Sequence, residues 1–147
     1  MSYSEIEASL RQTITRAASF SCNNVSTNDL RVLGRGDNQA VVLSYGGGPV
    51  TDEFSFGQLR HLWTVNVDLF VKWPGEQSSM ANNWISDRQE ILDVIEQWPR
   101  LNNTSGVLGS FIRLGGELEP PDEFKNAYMM QRLLCVVEEI VAPVRQE

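Results

Sequence analysis

The clearest pattern along the chain lies between residues 59 and 73. Leu59, His61, Trp63, Val65, Val67, Leu69, Val71 and Trp73 fall on one face of an extended strand. Arg60, Leu62, Thr64, Asn66, Asp68, Phe70 and Lys72 fall on the other. Alternation of this length predicts a half-buried strand in an antiparallel sheet with one wet side. At about 3.3 Å per residue it exceeds by far the roughly 20 Å common in small domains. It therefore either bends or reaches past its own core. Two segments show helical spacing instead. Ile6, Leu10, Ile14, Ala17 and Ala18 recur along residues 4–19, opened by a capping box of Ser4 and Glu7. Trp84, Arg88, Ile91, Leu92, Ile95 and Trp98 recur along residues 82–98, with Ser86 and Gln89 as a second box and Pro99 as the stop.

The rest of the chain reads as strands and connectors. Residues 21–38 are rich in Asn, Asp and Gly and predict a loop with a short strand at 30–33. Residues 40–45 form a β-rich run that Gly46-Gly47-Gly48-Pro49 should stop, with Phe54 and Phe56 either exposed in the loop that follows or at the start of the long strand. Residues 107–114 and 127–139 predict two more strands. The second is apolar on both faces around residues 133–137 and so should be central. The order helix, strand, long strand, helix, strand, strand defines an α+β fold, an antiparallel sheet with two amphipathic helices packed on one face. No repeat or low-complexity segment interrupts residues 1–147, and one domain is expected.

Composition narrows the function. The 147 residues are 41% hydrophobic and 21% charged, as in ordinary globular proteins, with 12 Lys and Arg against 19 Asp and Glu. A net charge of −7 without a basic run argues against nucleic-acid binding as the main activity, and against anionic membranes. No run approaches the roughly 18 to 20 apolar residues of a membrane span. The acidic start Met-Ser-Tyr-Ser-Glu-Ile-Glu lacks the charge of a signal peptide, so a cytosolic location is expected. Cys22 and Cys135 are far apart and read as reduced, buried thiols.

Candidate chemistry is sparse. His61, the one histidine, sits on the apolar face of the long strand and reads as structural rather than as a general base. Asp87, Glu90, Asp93 and Glu96 repeat every three residues and read as a solvated helix face near a helix N-terminus, not a metal row. Gly34-x-Gly36 and Gly46-Gly47-Gly48 lack the strand-to-helix setting of a phosphate loop and read as turns. Arg35-Gly36-Asp37 reads as a turn, and the four tryptophans as core. No catalytic, metal or cofactor site follows.

What remains points to interaction. An overlong strand would present backbone groups to a neighbour. Phe54 and Phe56, with Arg60, Leu62 and Phe70 on the polar face of the strand, are the candidate protein contacts. Glu117, Glu119, Asp122 and Glu123 form an acidic connector without a basic residue, which reads as a solvated loop or as the lining of a surface that must not hold DNA.

In the order of its elements the chain resembles the tail terminator proteins of long-tailed bacteriophages. The resemblance rests on the helix at 4–19, the strand at 40–45, the long strand with Leu62-Trp63-Thr64-Val65-Asn66-Val67-Asp68-Leu69-Phe70-Val71, the helix with Arg88-Gln89-Glu90-Ile91-Leu92-Asp93-Val94-Ile95, and the closing strand pair. It spans nearly the whole chain, although residues 22–38 depart from the shorter, more apolar approach expected there. It implies a structural virion protein at the head–tail junction, assembled in the host cytoplasm. A homomeric ring, usually of six, would cap the tail tube, end its growth and receive the head connector. DNA would pass through without specific binding. Six copies at −7 each carry −42, which discourages phosphate from sticking. A head completion protein of the same virion, an adaptor module, or a small hydrolase using His61 or Cys135 are the rival readings.

Overall fold

A computed structural model describes residues 2–20, 24–28, 39–55, 58–72, 79–101, 107–118, 120 and 128–141. In chain order the elements are α1 (Tyr3–Ile14), β1 (Val25–Thr27), β2 (Gln39–Ser55), β3 (Gln58–Lys72), α2 (Ser79–Gln97), β4 (Val107–Leu118) and β5 (Tyr128–Val141). The strands form one sheet in the order β1-β2-β3-β5-β4. The α+β class holds, with one addition: β1 pairs in parallel with β2, Val25 beside Val41 and Thr27 beside Leu43, so the sheet is mixed. All other pairs are antiparallel. Strand β5 is interior, as its two apolar faces require.

The alternation of β3 sorts residues as its pattern predicts. Trp63, Val65, Val67, Leu69 and Val71 are buried in the main core with Val41, Leu43, Leu133, Cys135 and Val137 from neighbouring strands. Ile6, Leu10 and Ile14 of α1 and Ile91, Val94 and Ile95 of α2 pack into the same cluster, so both helices cover the same face. The other face is not uniformly wet. Ala40, Val42, Phe70 and Tyr128 form a second buried cluster at one end of it.

Several boundaries differ from the expectations, each for a local reason. Helix α1 starts on Ser2, whose Oγ accepts from the Glu5 amide at 3.4 Å, so the cap belongs to Ser2 and Glu5 rather than Ser4 and Glu7. It ends at Ile14. There Arg16 and Ala17 donate to carbonyls three residues back, while Thr13 and Thr15 hydroxyls bond to the carbonyls of Ser9 and Gln12. Helix α2 begins at Ser79, which places Ser86 and Gln89 inside the helix and rules out a box there.

The largest difference concerns Gly46–Pro49. These residues do not stop β2, which runs 17 residues through them to Ser55. The register with β3 shifts between Tyr45 and Gly47 and again between Gly47 and Val50, so the glycines form bulges within the strand. Gly48 has φ +104, and a Cβ there would lie 2.6 Å from the Leu62 carbonyl oxygen. Only glycine lets the two backbones approach in this way. Gly115 plays the same part in β4, where a Cβ would meet the Arg132 carbonyl at 2.5 Å beside a second register shift. Phe54 thus lies in β2, neither in a loop nor at the start of the long strand β3. Phe56, the strand expected at 30–33, Trp73 and Cys22 lie outside the described residues.

Candidate functional site

Strand β3 does not outreach its sheet. It is flanked along its length by β2, from Gln39 beside Val71 to Ser55 beside Gln58, and by β5, from Leu59 beside Val141 to Lys72 beside Tyr128. Its backbone hydrogen-bonding groups are used within the subunit, and the expectation that its own edge invites a neighbour is withdrawn. The excess length is matched by partners whose glycines bulge instead of ending the strand.

Open edges exist elsewhere. Among the described residues β1 covers only Val41–Leu43 of β2, so the outer edge of residues 44–55 has no strand beside it. On the opposite side of the sheet, among the described residues, β4 pairs only with β5, and no strand lies beside its outer edge from Val107 to Leu118. Large apolar side chains are exposed along both: Tyr45 (54%) and Val50 (61%) on β2, Phe111 (39%) and Leu118 (41%) on β4. The sequence reading missed all four. Their signal was the alternating run that resumes after Pro49 and the apolar residues of 107–118, both hidden by the neighbouring glycines.

The predicted contact residues divide. Arg60, Leu62 and Phe70 share the face of β3 that no described helix covers. Arg60 pairs with Glu138 at 3.6 Å, and Leu62 is half-buried beside Val50 and Glu138. Phe70 is a correction: it is 1% exposed, its ring edge-on to Tyr128 at 6.5 Å, so it packs inside the subunit and presents no surface. Between them Arg132 grips buried Asp68 with two bonds, Nε to Oδ1 at 2.8 Å and a terminal nitrogen to Oδ2 at 3.1 Å. Of the acidic connector, Glu117 is placed in β4 opposite Gln131; Glu119, Asp122 and Glu123 lie outside the described residues.

The acidic row on α2 also needs correcting. Asp87 is buried, mid-helix and away from the helix N-terminus. Burial, then the charge of Glu90, pushes its carboxyl up to about 6, against a hydrogen bond with Ser19. Asp93 is exposed and accepts from Gln89 at 2.7 Å. Among the described residues no group of three His, Cys, Asp or Glu gathers to hold a metal ion, and no helix is long and apolar enough to cross a membrane.

His61 has a carboxylate partner, and Thr51 lies across from it in the β2–β3 register. The His61 Nδ1 lies 3.6 Å from Oε1 of buried Glu139, which also accepts from Trp63 Nε1 at 3.3 Å. Tyr3 and Tyr45 continue this aromatic group, with Tyr3 5.9 Å from Trp63 and edge-on to Tyr45 at 4.9 Å. Cys135 pairs with Val65, four residues along β3 from His61, or about 13 Å. Burial pushes its thiol up to about 12, away from the thiolate that attack requires. The two residues do not form a catalytic pair. No protein-family model matches the chain, and no curated protein matches its sequence.

Proposed function

We propose that this chain is a structural virion protein, the tail terminator of a long-tailed phage, which closes into a homomeric ring on the end of the tail tube. The carrying observation is one long sheet, helix-covered on one face, with no strand among the described residues beside β4 or beside residues 44–55 of β2, and apolar side chains exposed along both. Open edges are normally blunted or covered in soluble proteins. A head-to-tail contact that closes on itself covers both at once, one edge on each neighbour. The resemblance in element order supplies the setting: the ring ends tube growth, receives the head connector and lets DNA through.

Light scattering and negative-stain imaging of the purified protein, alone and with tail tubes, test this. Rings of uniform size on tube ends are expected. A monomer that leaves tube ends bare overturns the reading, and binding to the portal-side assembly but not to tubes reassigns it to a head completion protein.

A further inference from the structure

The sheet geometry contains more than two open edges. Strands β2, β3, β5 and β4 alternate in direction, so β2 and β4 run opposite ways. A second copy placed beside the first by rotation about an axis along the strands therefore brings its β2 antiparallel to β4, the pairing that closes a continuous ladder. The levels match as well. Tyr45 pairs with Val65, Val65 with Cys135, and Cys135 with Ile112, so Tyr45 and Ile112 end one row on the helix-covered face. On the other face Val50, Leu62, Glu138 and Gly109 form such a row.

Beside Ile112 lies a groove of about 350 Å³ between α2 and β4. Leu92, Ile95, Phe111 and Ile112 supply its apolar lining, with Gln89, Glu96 and Ser110. The Tyr45 ring is half-exposed on β2, edge-on to Tyr3, with its hydroxyl donating to the Gly48 carbonyl. A half-exposed aromatic ring fixed before contact, and an apolar groove of matching level and face, form the two halves of a hot spot.

We infer that the residue 44–55 edge of β2 in one copy adds as a strand to β4 of the next, seating Tyr45 in the groove formed by Leu92, Ile95 and Ile112. This rests on the ring reading above and names its interface. The partner is a second copy of this chain, and the contact is head-to-tail, because the two edges differ.

Two measurements on the full chain test it. Cysteines at Val50→Cys and Gly109→Cys, in a Cys22→Ser background, stand at the two ends of one row, and a Cβ at Gly109 meets nothing within 4 Å. Mild oxidation should give a ladder of covalent multimers on a non-reducing gel, and neither single-cysteine chain should do so. By sedimentation velocity up to millimolar protein, Tyr45→Glu and Leu92→Glu should each weaken self-association by about tenfold to a hundredfold. Ala8→Glu, at an exposed position on α1, which contributes nothing to the groove, should leave it unchanged. Circular dichroism confirms folding of each variant.

Wild-type rings that persist unweakened in Tyr45→Glu and Leu92→Glu, with no oxidation ladder from the double cysteine, overturn the interface and leave the ring reading standing. Dimers from Val50→Cys alone overturn the head-to-tail arrangement. A wild type that stays monomeric at millimolar concentration and on tail tubes sinks both.

Discussion

The two faces of the sheet are built from the same alternating strands but serve different ends. On the helix-covered face Val65, Val67, Leu69, Leu133 and Val137 are fully buried beneath α1 and α2. On the other, the intervening positions of β3 and β5 carry the Arg60–Glu138 and Asp68–Arg132 pairs, with half-buried Leu62 and Leu134 between them. Period-2 alternation alone does not distinguish a face finished by its own helices from one left partly apolar. What separates them is whether a helix of the same chain is long enough, and close enough, to cover the row.

The sharpest way to break the comparison is to cut equal volume from each face. Leu69→Ala leaves a cavity under the helices and should cost about 2 to 5 kcal/mol in denaturant unfolding. Leu62→Ala, on the open face with solvent nearby, should cost under about 1 kcal/mol. Equal losses at the two sites would show that the open face is as tightly packed as the core.

A second test compares how each face treats charge. Asp68 is buried and its two-bond partner Arg132 is only partly covered. Hydrogen bonding to Asp68 raises the guanidinium still further above its ordinary value. Arg132→Met strands the carboxylate and should destabilise the fold by roughly 2 to 3 kcal/mol, somewhat below a fully buried pair. Asp68→Leu combined with Arg132→Leu should recover most of that loss, because both desolvation costs vanish together. A double variant no better than Arg132→Met would mean that the pair itself is strongly stabilising. The measurement is a double-mutant cycle in urea.

How much of this was legible in the sequence follows from the same physics. The buried face of β3 could be read because alternation at Trp63, Val65, Val67 and Leu69 is a local signal, and helical spacing gave both helices within a few residues. Strand β1 could not: three residues, Val25–Thr27, carry no period, and their pairing with Val41–Leu43 is set by distant contacts. Gly46–Pro49 and Gly115 were opaque for another reason. Glycine marks a turn and a bulge alike, and only the backbone opposite, Leu62 or Arg132, decides between them. That ambiguity spread to the site. With β2 and β4 read too short, β3 looked overlong and the open edge was assigned to the wrong strand, so Tyr45, Val50 and Phe111 went unnoticed.

The third test concerns Asp87, a buried carboxyl on α2 beside Glu90 and Ser19. Its carboxyl titrates near 6 in the folded protein, against about 3.9 in an unfolded chain. Between those values the folded state holds more protons, so the contribution of Asp87 to stability is complete below about pH 4 and is lost as the pH rises through 6. Asp87→Asn cannot ionise and still offers Ser19 an acceptor, so above pH 7 it should be more stable than wild type by roughly 1 to 2 kcal/mol. That advantage should shrink toward zero by pH 4. The informative quantity is the difference between variant and wild type in urea at each pH, because the other carboxylates titrate alike in both and cancel. A difference that stays constant from pH 4 to 8 would place the Asp87 carboxylate in contact with water, and the helix-covered face would then be less sealed than its apolar rows imply.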